Sequence, residues 1–124
     1  MIINVIGPPG AGKTYFIKNI LKQDPPYNKY GHQISEELFN WFKENNLFEH
    51  TGLNGKINSY LKDKKHLTIL IKSNILRCLY NILKDNSDRS KLDRVKVLLF
   101  YFRNKPCKSG ILIVVPSHDK KYVY

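Results

Sequence analysis

The sequence has few cysteines. Cys78 and Cys107 lie far apart, with no Cys-x-x-Cys pair and no adjacent histidine. This spacing excludes a disulfide-rich scaffold and gives no indication of a cysteine-based metal site. Two isolated cysteines fit a reducing compartment, so we expect a cytoplasmic protein.

The sequence also lacks a long hydrophobic run. No stretch approaches the roughly 18 apolar residues of a membrane-spanning helix. The apolar run over residues 2–6 is short, has no basic segment before it and leads directly into a glycine-rich segment, which is not the pattern of a signal peptide. We therefore expect no membrane partner.

Acidic residues are scarce, since 10 Asp and Glu stand against 21 Lys and Arg, which gives a net charge of +11. Such an excess suits an anionic partner, such as a nucleotide, a nucleic acid or a phosphorylated substrate. However, 17 of the 21 cations are lysines, and they are scattered along a chain that is also rich in Asn, Ile and Tyr. The scattered lysines favour a general compositional bias as the cause of the charge, and the anionic partner stays open as the alternative.

A glycine-rich segment follows the apolar run at the start of the chain. Residues 7–14 read GPPGAGKT. This is a complete G-x-x-x-x-G-K-[ST] motif between an apolar run and an amphipathic helical stretch. Converging backbone N–H groups and a helix N-terminus hold phosphate oxygens, and Gly10 and Gly12 let the backbone approach them closely. A glycine-rich surface turn is the alternative, but it needs neither the lysine nor the flanking strand and helix.

The motif assigns roles to individual residues. Lys13 offers an ammonium to the β and γ phosphates as a catalytic residue, and the Thr14 hydroxyl suits a Mg²⁺ that keeps most of its water ligands. The cofactor-binding set is Gly7, Gly10, Ala11, Gly12, Lys13, Thr14 and Tyr15. The motif strongly predicts phosphate binding and leaves the reaction open.

The first 22 or so residues resemble the P-loop NTPases, especially small nucleotide kinases of the adenylate-kinase type, whose signature often reads GPPGAGK directly after an N-terminal strand. The resemblance implies an α/β fold with a parallel sheet flanked by helices. It also implies ATP or GTP as ligand and Mg²⁺ as cofactor. No Asn-Lys-x-Asp element for guanine is present, so the choice between ATP and GTP stays open, as does the acceptor.

The remaining pattern is mostly helical. The segment 23–33 has the prolines, glycine and tyrosines of an exposed connection, where a substrate loop could lie. Residues 95–102 have strand-like content, but the spacing of the apolar residues favours a helix. The pattern predicts helices from Lys13 to before Asp24, after Ser35, over 56–61, over 65–84 and over 92–102, and a buried parallel strand over 111–115.

Two strands do not make a sound parallel sheet. Three explanations are open: strands escape detection, residues 1–124 form a single but incomplete P-loop domain, or another subunit completes the sheet. A strand so close to the end of the sequence favours a reduced or truncated domain.

A working phosphate loop also needs an acidic residue on the metal side. Asp119 is the only carboxylate that follows a predicted strand, four residues beyond Val115. If residues 116–118 turn back toward the loop, Asp119 is a catalytic residue and a Mg²⁺ ligand; otherwise it is a solvated tail residue.

Kinases of this type also bring arginines over the phosphates. The sequence has four arginines that could take this role: Arg77, Arg89, Arg94 and Arg103. The segment 88–90, Asp-Arg-Ser, is similar to a phosphate-contacting element of deoxynucleoside kinases, although a helix cap explains it too.

Two functions follow from these observations. The first is an ATP-dependent phosphotransferase or NTPase of the nucleotide-kinase-like class. The second is a non-catalytic module that binds a nucleotide, a nucleic acid or a larger ATPase.

Overall fold

A sheet of order β2-β1-β3-β4 forms the centre of the fold in the computed structural model, which describes residues 1–26, 34–85, 91–103 and 110–114. Five helices flank this sheet within the described residues, so the fold is α/β. The elements are β1 (Ile2–Ile6), α1 (Lys13–Asn19), α2 (Glu36–Asn45), β2 (Leu47–His50), α3 (Gly55–Leu61), β3 (His66–Lys72), α4 (Ile75–Lys84), α5 (Lys91–Phe102) and β4 (Gly110–Val114).

Four of the helix predictions are confirmed, and local capping explains two of them. The Ser35 hydroxyl accepts a hydrogen bond from the Leu38 N–H at 3.2 Å and starts α2. The Asn54 side chain does the same for α3 through the Ile57 N–H at 3.0 Å. Helices α1 and α5 also form where the apolar spacing predicts them.

The predicted long helix over 65–84 is wrong, because this segment divides into β3 and α4. Asn74 marks the division: its side chain accepts from the Arg77 N–H at 2.8 Å and caps α4. Strand β2 is a second element that the sequence did not predict. Too few strands were therefore predicted from the sequence because β2 and β3 were missed, which confirms the first of the three explanations.

The C-terminal strand is present, but its predicted parallel direction is wrong. β4 pairs antiparallel with β3, and Gly110 faces Lys72 while Val114 faces Thr68. β4 therefore borders β3 and not β1, and it runs away from the edge where β1 ends. Residues 115–124, with Asp119, lie outside the described part of the chain.

Strands β1, β2 and β3 are parallel, so their carboxyl ends share one edge of the sheet. Val5 lies opposite Glu49 on one side and Ile69 on the other, and these side chains share a sheet face. That face packs against Ile17 of α1. The other face carries Phe48, which packs with aromatic and aliphatic side chains of α2 and α3. The glycine-rich loop leaves β1 at the shared edge, where ligands bind in open parallel sheets.

In the described part of the chain, no helix has the length and apolar character that crossing a membrane requires.

Candidate functional site

The glycine-rich loop (residues 7–14) joins β1 to α1 and has a backbone that only glycine accommodates at its bend. Gly10 has a φ of +79°, and a Cβ at this position would overlap the carbonyl oxygen of Cys78. Gly12 has a φ of +105° and occupies the N-cap position of α1. The Ala11 N–H donates to the Pro8 carbonyl at 3.2 Å and closes a turn within the loop. The conformation therefore depends on two left-handed glycines and on the approach of α4.

Helix α4 also holds the loop through a side chain. The Asn81 amide donates a 2.8 Å hydrogen bond to the Gly10 carbonyl. The two residues are 71 positions apart in the sequence. Helix α4 therefore packs against the loop at Gly10, through the Asn81 side chain and the Cys78 backbone.

The Lys13 ammonium lies over the loop itself. Its Nζ donates to the Gly7 carbonyl at 2.6 Å and to the Pro8 carbonyl at 3.2 Å. These bonds hold a cation at the centre of the loop, and an ammonium is a charged donor that forms strong hydrogen bonds with anionic oxygens.

A buried carboxylate faces the beginning of α1. Glu49 on β2 is 6% exposed, and its Oε1 accepts a 3.0 Å hydrogen bond from the Thr14 hydroxyl. The parallel register places Glu49 beside Val5, so its side chain leaves the sheet on the face that α1 covers. Strand pairing therefore brings an acidic group to the loop across 35 residues of sequence.

The Thr14 and Glu49 pair fits Mg²⁺. This ion prefers oxygen ligands in octahedral geometry and often keeps several waters, with one or two protein ligands plus substrate phosphates. A hydroxyl and a carboxylate at hydrogen-bond distance form such a donor set. The described residues contain no cluster of three or more His, Cys, Asp or Glu side chains that could hold a metal on their own. An ion here would therefore depend on phosphate and water for its remaining ligands.

His50 lies next to Glu49 on β2 and has both ring nitrogens engaged. The Gly52 N–H donates to Nδ1 at 3.1 Å, so the ring proton lies on Nε2, which donates it to the side-chain oxygen Oδ1 of Asn4 at 2.9 Å. Burial, together with the positive charge of Lys13, lowers the pKa of His50 to about 4. His50 is therefore neutral at pH 7. Its two hydrogen bonds connect Gly52, just after β2, with Asn4 of β1.

The loop opens into a cleft of about 1430 Å³. Arg77 and Lys84 of α4 contribute cations to its lining. Arg94 of α5 also lines it, with its Nη1 2.6 Å from the Asp85 carboxylate in a largely buried ion pair. The cleft lining thus combines the loop with cations of α4 and α5 and with the carboxylates of Glu49, Asp85 and Asp93.

The loop residues predicted from the sequence come together at this cleft. Residues 10–15 line it, including the exposed Tyr15, while Gly7 is buried beneath the Lys13 ammonium. Of the four arginines, Arg77 and Arg94 reach the cleft lining. Arg103 lines a separate groove between α4 and α5. Arg89 and Asp119 lie outside the described residues, so their predicted roles stay predictions.

Sequence reasoning missed Glu49, His50 and Asn81. Polar residues directly after Leu47 and Phe48 were a signal, because ligands bind at the carboxyl ends of strands in open α/β sheets. Asn4 within the apolar run of β1 was another signal, since a buried amide needs partners. No signal pointed to Asn81, which reaches the loop through tertiary packing.

Comparisons with protein families, characterised proteins and solved structures found no match to this chain.

Proposed function

We propose that the glycine-rich loop binds the triphosphate of ATP or another nucleoside triphosphate with Mg²⁺, and that the chain is a kinase-like phosphotransferase or NTP hydrolase. The observation that carries the proposal is the 3.0 Å contact between Thr14 and the buried Glu49 carboxylate. It supplies the acidic partner that a working phosphate loop requires, directly beside the lysine of the motif.

Lys13 acts on the phosphates as a positioned cation. Its ammonium bonds two neutral carbonyl oxygens of the loop, and phosphate oxygens are stronger, charged acceptors. Exchange of one acceptor for another keeps the ammonium hydrogen-bonded and brings its charge to the β and γ phosphates. Lys13 thereby stabilises the charge that develops during transfer.

Thr14 and Glu49 would hold Mg²⁺, directly or through water, at the start of α1. When bound, the ion would neutralise phosphate charge and orient the γ-phosphoryl group. Asp119, which the sequence predicts as a metal ligand, is the second proposed ligand. Within the described residues, Glu49 is the acidic side chain proposed for the metal side of the loop.

One cation of the cleft rim supports phosphoryl transfer further. Arg77 lies exposed on this rim, whereas the charge of Arg94 is paired with the Asp85 carboxylate. His50 takes no proton in this scheme, because its Nδ1 lone pair is occupied by the Gly52 N–H.

The test is Mg²⁺-dependent release or transfer of the γ-phosphate of ATP by the wild type and by Lys13→Ala. We expect the variant to lose at least about 100-fold in rate, because it lacks the cation at the loop centre. Lys18→Ala is the matched control, since Lys18 is exposed on the same helix. A Lys13→Ala variant with the wild-type rate would contradict the proposal.

The alternative is a non-catalytic nucleotide- or nucleic-acid-binding module, which the net charge of +11 favours. It predicts ATP binding without turnover, or salt-sensitive binding to polynucleotides that survives Lys13→Ala. Failure to bind a polynucleotide at low salt would remove the nucleic-acid version.

A further inference from the structure

Helices α4 and α5 carry large apolar side chains that face solvent. More than half of each side chain is exposed, reaching 76% for Leu76 and 66% for Leu92. The exposed set is Leu76, Tyr80 and Leu83 on α4, with Leu92, Leu99 and Phe100 on α5. Exposed apolar residues are common singly, but a cluster of six on two adjacent helices marks an interaction surface.

The two helices are antiparallel neighbours. Lys91 at the start of α5 donates from Nζ to the Leu83 carbonyl at the end of α4, at 2.9 Å. At the other end, Ile75 shares a shallow groove with Leu99 and Phe102. The exposed residues of the two helices therefore form one continuous surface, the outer face of the hairpin.

This outer face points away from the candidate site. Leu76 and Leu83 lie across α4 from Asn81, which contacts the loop, at about 100° of rotation per residue. Leu92 and Leu99 are likewise across α5 from Arg94, which lines the cleft. A partner on the outer face would thus leave the nucleotide cleft open.

The charge around the outer face is predominantly positive. Lys84, at the border between the cleft and the outer face, lies 4.9 Å from the centre of the Tyr80 ring. Lys96 and Arg103 border the groove beside Leu99. Asp85 and Asp93, the acidic residues described on or next to these helices, line the cleft, and Asp93 also lies at the edge of the outer face, seven positions before Phe100. The outer face therefore combines apolar side chains with cations on long, flexible stems.

We propose that the outer face of the α4–α5 hairpin binds an anionic lipid surface. Leucine and aromatic side chains enter the boundary between headgroups and acyl chains, while lysine and arginine meet the anionic headgroups. A nucleic acid would satisfy the cations but would leave the leucines without an apolar partner. A second copy of the same face would bring two predominantly positive faces together. The expectation of no membrane partner rested on the absence of a spanning segment, and peripheral binding needs none.

The experiment measures co-sedimentation of the full chain with vesicles. Vesicles of phosphatidylcholine with phosphatidylserine should bind the wild type, and binding should weaken with added salt. Vesicles of phosphatidylcholine alone should bind it much less. Equal binding to both kinds of vesicle, or to neither, would overturn the proposal without any variant.

Variants then test the face itself. Leu76→Ser and Leu99→Ser should each weaken vesicle binding by roughly fivefold, because each removes a side chain that enters the lipid. Leu53→Ser is the matched control, since Leu53 is 58% exposed and lines the cleft instead of the outer face. An equal loss in the control would overturn the proposal.

Charge reversal completes the test. Lys96→Glu with Arg103→Glu should abolish the preference for anionic vesicles, whereas Lys62→Glu with Lys65→Glu, an equal change in net charge elsewhere, should retain it. A dimer in ultracentrifugation that Leu76→Ser with Leu99→Ser abolishes would overturn the proposal in favour of a second copy. Binding of an acidic amphipathic peptide without vesicle binding would overturn it in favour of a protein partner.

Discussion

Glu49 and His50 are adjacent on β2 but have opposite roles. Glu49 points to the loop and meets Thr14, whereas His50 points to the other sheet face and meets Asn4. Side chains alternate along a strand, so one dipeptide serves both faces of the sheet. The proposed metal-side charge thus lies beside a neutral, fully bonded imidazole that fixes the end of its strand.

Replacing Glu49 by Gln tests the acidic partner. The amide keeps the size of the side chain and an oxygen for the Thr14 hydroxyl, but it removes the charge that would hold Mg²⁺. We expect the rate of Mg²⁺-dependent γ-phosphate release to fall at least about 100-fold, while ATP affinity measured in a metal chelator stays unchanged. Glu44→Gln, on the exposed side of α2, is the control. A wild-type rate in Glu49→Gln would exclude Glu49 from metal binding.

His50 should make stability depend on pH. Its pKa is about 4 in the folded chain against 6.5 as the ordinary value, because burial disfavours the charged form. The unfolded chain therefore binds the proton first as the pH falls, so the stabilisation is complete above pH 6.5 and is lost down to about pH 4. The full effect is roughly 3 kcal/mol.

Urea denaturation at pH 7 and pH 5 measures this effect. His50→Gln should lose less stability between the two pH values than the wild type does. His66→Gln is the control, since that ring bonds a carbonyl near the surface. Equal losses in His50→Gln and the wild type would show that His50 does not contribute.

At the scale of elements, α4 supports the loop and also carries part of the cleft lining. Its buried side packs Cys78 and Ile82 against Leu98 of α5. Its polar side places Asn81 on the Gly10 carbonyl. Movement of α4 would therefore change the shape of the loop as well as the position of Arg77.

Asn81→Ala tests this support. The loop should lose one hydrogen bond that fixes its outer arm, and ATP affinity should fall about three- to tenfold. Titration calorimetry measures the affinity, and thermal denaturation checks that the fold persists. Asn45→Ala removes an equally short hydrogen bond within another helix, from the Asn45 side-chain amide to the Trp41 carbonyl, and should leave affinity unchanged. An affinity in Asn81→Ala equal to that of the control would remove the supporting role.

At the scale of the whole molecule, local signals predicted the loop, β1 and four helices. The segment 65–84 misled because Leu67, Leu70 and Ile71 fit a helical repeat, while the same segment also alternates as a strand does. β2 has four buried residues, two of them polar, so it shows neither pattern. The direction of β4 depends on its pairing with β3, which its own apolar residues do not encode.

The candidate site likewise has some residues that local sequence predicts and others that only tertiary structure brings together. Lys13 and Thr14 belong to a contiguous motif and could be predicted from the sequence. Glu49 and Asn81 reach the loop through strand pairing and helix packing, across 35 and 71 residues of sequence. Only the fold brings the acidic partner to the loop.

The most direct test of nucleotide binding is thermal denaturation of the whole chain with ATP, with and without Mg²⁺. At about 100 times its dissociation constant, a ligand of the native state stabilises it by roughly 2.7 kcal/mol, which is on the order of 10 °C for a domain of this size. We predict such a shift with Mg²⁺ and ATP, its loss in Lys13→Ala, and loss of only the Mg²⁺-dependent part in Glu49→Gln. No shift with any nucleoside triphosphate, or an unchanged shift in Lys13→Ala, would contradict the account.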